Sequence, residues 1–214
     1  LGVQDLSASI SLKALRNDSV HAIVRRLSFQ EKSGVQLKKL GMKLMTDDNR
    51  LKINDFILNL QTTALTMDSL EITYDSLQNL PKMTENVHFA GRLDGNIVLK
   101  DLAPIVPVFE KLAHPLDFSM AFNGKGKNIE IPELSLAGEK YLNLKGHASV
   151  LNWDAKQDMF LQAKLSQLSV TQSGIHYYMN ALTGSVPSIL QRLEYIQFNG
   201  AADGYLHDLQ VDGK

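Results

Sequence analysis

Six histidines are the residues of this chain whose type best suits metal binding and acid-base chemistry. None has a second histidine four residues away, and none lies in a His-Glu-x-x-His sequence, the spacing by which one helix face presents two zinc ligands. A zinc site is therefore not predicted, and each histidine is interpreted as a surface residue of a strand or turn. The six are His21, His88, His114, His147, His176 and His207.

The other motifs that could support catalysis are incomplete. The GKGK sequence at 124–127 resembles part of a phosphate-binding loop, but Asn128 follows it and Ala121 stands where the loop needs an earlier glycine. A tight turn between two strands explains this segment better. The chain has no Gly-x-Ser-x-Gly sequence for a nucleophile elbow, and its lack of cysteine excludes disulfides and thiolate metal sites. We therefore predict that the protein is not an enzyme and uses neither a cofactor nor a metal.

Composition argues against further classes of function. The 214 residues include 22 Lys and Arg and 23 Asp and Glu, a net charge of -1, which provides no basic surface for nucleic acid or for an anionic membrane. Hydrophobic residues make up 44% of the chain and aromatic residues 7%, with one tryptophan, so its apolar surfaces are mainly aliphatic and suit lipid chains better than sugar rings. No apolar run approaches the roughly 20 residues that cross a bilayer. Because the sequence begins and ends within strand patterns, we expect a segment of a longer protein.

The elements that would position any site are strands with one apolar face. Residues 129–153 contain two runs in which apolar and polar residues alternate, separated by a polar turn at Glu139 and Lys140. Side chains alternate between the faces of a strand, so this pattern predicts a half-buried antiparallel hairpin. Similar segments recur at roughly 8 to 12 residue spacing, as in an all-β meander. A change of phase at Arg25 and Arg26 predicts a β-bulge.

Two segments interrupt the alternation and predict short helices, near 101–114 and near 173–193. In the second, Gly184 is predicted to end one half and Pro187 to open the other. A loop is predicted over 76–86, which separates a β-meander segment at 1–86 from a β-groove segment with two short helices at 87–214, within one continuous structure.

A loose internal repeat links two of the predicted strands. Residues 89–95, FAGRLDG, and 198–204, FNGAADG, have one phenylalanine and two glycines at matching places. The period of roughly one hundred residues is too long for a short-period solenoid. Glycine on the apolar face of a strand permits sharp curvature or the close approach of another backbone, which a curved sheet would need.

The apolar face itself is the candidate binding site, and it has two interpretations. It is either the closed core between two layers, or the wall of a curved open sheet that forms a groove for acyl chains; both need an aliphatic face with polar residues opposite. In the second case each residue contacts the ligand without polar chemistry. The predicted lining is Phe89, Leu93, Ile97, Phe118, Met120, Phe122, Leu134, Leu136, Leu142, Leu144, Leu161, Leu165, Ile196 and Phe198.

Three segments resemble a known family. Residues 27–40 (LSFQEKSGVQLKKL), 99–109 (LKDLAPIVPVF) and 142–153 (LNLKGHASVLNW), together with the order sheet, helix, sheet, resemble the TamB translocation and assembly module proteins of the AsmA-like superfamily, in the form found in Bacteroidota. The resemblance covers most of the chain. It implies a mainly β fold, a long curved antiparallel sheet folded into a taco-like groove.

The resemblance also implies a location and partners. Such proteins are anchored in the inner membrane and run through the periplasm, where phospholipid would slide along the groove towards an outer-membrane partner of the Omp85 type. The anchor and the partner-contacting region would lie outside this chain. A role in inserting outer-membrane proteins is also implied.

Three hypotheses follow for the function. The first is a non-enzymatic lipid conduit that carries phospholipid acyl chains between the inner and outer membranes and supports outer-membrane biogenesis. The alternative is a periplasmic scaffold or holdase that assists the assembly of outer-membrane β-barrel proteins by strand addition at exposed sheet edges. The third is an adhesin-like binding module with a closed core.

Overall fold

The described residues form twelve strands in a single sheet, which makes up most of the structure. In the computed structural model, each strand is hydrogen-bonded antiparallel to the strands that precede and follow it in sequence, so the spatial order is the sequence order. The predicted mainly β fold, a long antiparallel sheet with short interrupting helices, is confirmed. The strands are β1 (Val3–Leu15), β2 (Val20–Glu31), β3 (Gln36–Thr46), β4 (Arg50–Asn59), β5 (Ala64–Thr73), β6 (His88–Ile97), β7 (Leu116–Lys125), β8 (Asn128–Gly138), β9 (Leu142–Leu151), β10 (Phe160–Thr171), β11 (Tyr195–Tyr205) and β12 (Asp208–Gly213).

The structure describes most of the chain. His207 lies outside the described residues, as do residues 77–79 of the predicted loop. The described ranges are 3–15, 19–32, 34–76, 80–155, 157–205 and 208–214.

The predicted hairpin at 129–153 is present as β8 and β9. Its two strands pair from Ile129 opposite Val150 to Gly138 opposite Leu142. The preceding hairpin, β7 and β8, turns through Gly126 and Lys127, which confirms that the GKGK sequence is a tight turn. Gly126 has a φ of +56°, the left-handed conformation that two-residue hairpin turns require.

Register shifts near the middle of many strands bend the sheet. The shift predicted at Arg25 and Arg26 is confirmed, because the β2–β3 pairing slips between Val24 and Leu27. In β8 the slip between Ile131 and Leu134 contains Pro132, which has no N–H to donate and is tolerated in an inner strand only at such a place. Bulges increase twist and curvature, so this set of shifts turns a flat ribbon into a curved groove.

Both predicted helical segments are present. The second consists of helix α1 (Gln172–Thr183) and helix α2 (Ser188–Gln191). Gly184 follows α1 with a φ of +78°, and Pro187 precedes α2, as predicted. The first consists of two 3₁₀ helices, Leu99–Leu102 and Pro107–Lys111, and a further 3₁₀ helix spans Leu80–Lys82 in the predicted loop.

The two longer helical segments lie along the same edge of the sheet, by which we mean the side formed by strand ends, because they connect β6 to β7 and β10 to β11. We call residues 98–115 and 172–194 together the helical rim. Tyr177 joins its two parts, since its hydroxyl donates to the Lys111 carbonyl (3.2 Å) and accepts from the His114 N–H (3.1 Å). The His114 ring also packs against Tyr177, with centroids 4.5 Å apart.

The most buried apolar side chains lie mainly where connecting segments fold against the sheet. Val87 is fully buried beside the β5–β6 connection, and Val98, Leu112 and Leu116 are 3–5% exposed at the helical rim. The molecule is far from compact. Its accessible surface is 13346 Å², whereas a compact protein of 23.8 kDa exposes about 9,900 Å².

Candidate binding face on the curved sheet

One apolar face runs across the strands from β6 to β11. Cross-strand pairing connects Phe118 to Leu136, Leu136 to Leu144, Leu144 to Leu168 and Leu168 to Phe198. Directly paired residues point to the same side of a sheet. The register places all fourteen residues of the predicted lining on this face, and every one of them is half-buried.

The same face continues through the first five strands. Phe118 pairs with Gly95, Gly95 with Leu65, Leu65 with Leu58 and Leu58 with Leu40. The predicted lining omitted this part, although alternating leucines in residues 1–86 carried the same signal. We call the resulting run of paired residues the apolar line; its members are Ala8, Leu27, Leu40, Leu58, Leu65, Gly95, Phe118, Leu136, Leu144, Leu168 and Phe198.

The apolar line is long and carries no charge. Eleven strands at about 4.8 Å spacing give a path of roughly 50 Å. Charged side chains pair on the opposite face, where Arg92 contacts Glu133 (2.7 Å) and Asp94 (3.3 Å) and Lys43 contacts Asp55 (2.5 Å). The alternation of apolar and polar residues along each strand thus places uncharged side chains on one face of the sheet and salt-bridged side chains on the other.

The apolar face is open over most of its area. The described strands belong to one sheet, so no second sheet among the described residues covers it, and the closed sandwich of the first interpretation is not observed. Exposure is greatest on the outermost strands, where Ile10 is 62% exposed and Val211 is 67% exposed. The helical rim covers the face only near one edge.

An apolar pocket lies where α1 and α2 pass over that edge. Its floor is formed by Leu142, Val170 and Ile196, which pair with one another across β9, β10 and β11. Its roof is formed by Ile175, Tyr178, Met179 and Leu190. The pocket has a volume of about 260 Å³.

Tyr178 is the one residue of this pocket with a polar side-chain atom. Its hydroxyl is buried and has no hydrogen-bond partner among the described residues. Burial, followed by the neighbouring Tyr177 and Tyr141, raises the pKa of Tyr178 to about 12. The phenol is therefore neutral at physiological pH, and the pocket is uncharged.

The two copies of the sequence repeat share a local geometry. Gly95 and Gly204, the last residues of FAGRLDG and FNGAADG, have φ values of +146° and +135° within their strands. The first residues, Phe89 and Phe198, each place their ring over a glycine of the following strand, Gly124 and Gly213 respectively. A phenylalanine ring placed over a strand glycine fills the space that the glycine leaves, so the apolar face stays continuous where the backbone bends.

The described residues contain no group of three or more His, Asp or Glu side chains close enough to hold a metal ion. Of the five described histidines, His88, His114 and His147 are exposed and His21 and His176 are half-buried. No helix in the described part of the chain is long and apolar enough to span a membrane.

Comparison of the chain with models of protein families, with curated proteins and with solved structures gave no match.

Proposed function

We propose that this chain is a segment of a non-enzymatic lipid conduit, in which phospholipid acyl chains lie along the apolar face while their headgroups stay in water. The observation that carries the proposal is the apolar line, an uncharged path of about 50 Å, most of it half-buried, that no second layer of the described structure covers. Exposed apolar surfaces of this extent commonly serve as binding sites, which supports the proposal.

The energetics suit movement as well as binding. Burying one methylene contributes about 0.8 kcal/mol, so a chain of about 15 methylenes with half its area covered gains roughly 6 kcal/mol. This attraction is non-directional, and leucine occupies seven of the eleven positions along the path. A lipid displaced by one strand spacing therefore still meets apolar side chains and loses little free energy.

The location and partners belong to the same proposal. The resemblance of residues 27–40, 99–109 and 142–153 to TamB proteins supports a periplasmic segment of a protein anchored in the inner membrane. An Omp85-type outer-membrane protein would receive lipid through regions outside this chain. The conduit would then support outer-membrane biogenesis.

Photo-crosslinking tests the face directly. Benzoylphenylalanine replaces either Leu144, on the apolar face, or Lys145, its neighbour on the opposite face, in the full chain loaded with phosphatidylethanolamine–phosphatidylglycerol vesicles. We expect crosslinked phospholipid, measured by mass spectrometry of the protein, at position 144 and not at position 145. Equal crosslinking at both positions, or none at either, would refute the proposal.

Matched charge substitutions test the same point without a probe. Leu144→Arg places a cation in the apolar line, whereas His147→Arg places one on the opposite, exposed face of the same strand. A buried guanidinium near acyl chains costs about 2.5–3.5 kcal/mol. We expect at least a tenfold loss of bound lipid per folded protein for the first variant and less than a twofold change for the second, with circular dichroism confirming that both remain folded.

One observation favours the scaffold alternative as a second candidate. Among the described residues, β1 and β12 each pair with one strand only, and β1 exposes Leu6, Ile10 and Leu12 by 57–65%. Unpaired apolar edges can add a strand from a client. Lysine at Ser9 and at Gln210 should then abolish capture of a urea-unfolded outer-membrane β-barrel protein and leave lipid binding intact; unchanged capture would exclude this candidate.

A further inference from the structure

The pocket under α1 and α2 differs from the rest of the apolar face because it has a roof. Leu142, Val170 and Ile196 belong to the sheet, each two residues along its strand from a member of the apolar line. Two residues of a strand span about 6.7 Å. The pocket is therefore a side chamber whose floor continues the same wall.

The lining defines the chemistry of what can enter. Every side-chain atom except the Tyr178 hydroxyl is hydrocarbon or thioether, and that hydroxyl is buried out of contact with solvent. A charged or hydrogen-bonding group would lose its water without finding a partner. Only an apolar ligand fits, and Met179 gives the roof an adaptable side chain.

The volume of the pocket limits the size of the ligand. An apolar cavity of about 150 Å³ holds a benzene molecule, so 260 Å³ accepts a longer piece of hydrocarbon but not a whole phospholipid. We propose that this pocket is a fixed binding site for the terminal segment of one acyl chain. This inference deepens the proposed function and rests on it for the source of the chain.

The roof is held firmly enough to serve as part of a site. The Thr171 hydroxyl accepts from the Gly174 N–H (3.2 Å) at the start of α1, and the same hydroxyl donates to the Lys140 carbonyl. Tyr177 stacks on Tyr141 with ring centroids 5.3 Å apart. Lipid would therefore slide freely elsewhere and stop at β9–β11, where the end of one chain would contact both the sheet and the two helices.

The methionines of this chain provide a set of reporters. Met179 lies in the pocket roof, Met120 lies on the open apolar face opposite Leu134, and Met45 is 46% exposed on the opposite face of β3. The full chain is labelled with ¹³C at the methionine methyl groups, each signal is assigned by a Met-to-Leu change, and sodium dodecanoate is added below its micellar concentration, with butyrate as the short-chain control.

We expect dodecanoate to shift the Met120 and Met179 signals and to leave Met45 unchanged. Leu190→Trp fills the pocket and should remove the Met179 response, with at least a tenfold weaker apparent affinity there, while Met120 still responds. Ile189→Trp is the matched control, because Ile189 is 78% exposed and lies outside the pocket; it should leave both responses unchanged.

The outcomes separate the two proposals. A response at Met120 without one at Met179 overturns the pocket and leaves the conduit standing. A response at Met179 alone supports the pocket and overturns the conduit, and no response at either methionine overturns both. A Met179 response that survives Leu190→Trp also overturns the pocket.

Discussion

The Asp101 carboxylate anchors the helical rim to the β4–β5 turn. It accepts hydrogen bonds from the Thr62 N–H (2.7 Å), the Thr63 N–H (2.6 Å) and the Thr62 hydroxyl (2.8 Å). Burial raises the pKa of Asp101, but the hydrogen bonds from Thr62 and Thr63 together outweigh burial and lower this pKa below its ordinary value. Asp101→Asn should therefore destabilise the rim.

The magnitude follows from the groups involved. A hydrogen bond to a charged group contributes about 1.5–3 kcal/mol and a neutral one about 0.5–1.5 kcal/mol. The Thr62 and Thr63 N–H groups donate to the same carboxylate oxygen, Oδ2, so an asparagine oxygen in its place can keep both as weaker neutral hydrogen bonds, whereas the amide nitrogen cannot accept from the Thr62 hydroxyl. Because two of the three bonds are solvent-exposed, we expect a loss of about 1–2 kcal/mol, or about 2–8 °C in melting temperature for a chain of this size.

The stability difference between wild type and Asp101→Asn should depend on pH in a definite direction. A carboxylate whose pKa is lowered by folding contributes stability above its unfolded pKa, and this contribution is lost as the pH falls through the folded pKa. The difference between wild type and Asp101→Asn should be complete at pH 6–7 and should shrink below the ordinary pKa of 3.8.

Thermal unfolding by circular dichroism between pH 2.5 and pH 7 measures this difference. Asp55→Asn is the matched control: its ion pair with Lys43 is exposed, and asparagine tolerates the φ of +53° at this position as well as aspartate does. An exposed ion pair is worth less than about 1 kcal/mol. The reasoning fails if Asp101→Asn costs no more than the control, or if its cost is the same at pH 2.5 as at pH 7.

Two further predictions concern the wall and the pocket. Gly124→Ala should cost about 1–3 kcal/mol in urea unfolding, because a Cβ there meets the Phe89 ring and the Asn128 carbonyl. Gly41→Ala is the control: its Cβ would make ordinary contacts of 3.5 Å or more, so this change should be neutral or slightly stabilising. Equal effects of the two changes on stability would contradict the close-approach argument. Tyr178→Phe should be neutral or stabilising by up to about 1 kcal/mol, because it removes a buried hydroxyl that has no partner among the described residues. Folding raises the pKa of Tyr178 from 10 to about 12, so wild-type stability should fall relative to Tyr178→Phe as the pH rises from 10 to 12, and a constant difference across that range would refute the assignment.

Alternation in the sequence was sufficient to predict the strands, the hairpin at 129–153 and which side chains share a face. The bulge at Arg25 and Arg26 was predictable because a register shift changes the phase of the alternation. Gly184 and Pro187 marked the division of the second helical segment because each has a fixed conformational preference.

The sequence did not indicate which distant residues contact one another in the fold. The same alternation fits a closed sandwich and an open sheet, so only the pairing order distinguishes them. The contact of Asp101 with Thr62 joins residues 39 positions apart, and neither an aspartate nor a threonine predicts such a contact by its type. The pocket also depends on where α1 lies over β9–β11, which the spacing of Ile175, Tyr178 and Met179 indicates only as a helix face.

Strict sequential order makes this architecture extensible. Each described strand pairs only with its predecessor and successor in the chain, so the strand pairing is close to one-dimensional in its energetics. Excising one complete up-and-down pair would shorten the structure by about 10 Å and leave the remaining connections at their original edges. Removing a single strand would instead send every later connection to the wrong edge, so this design can grow or shrink only in steps of two.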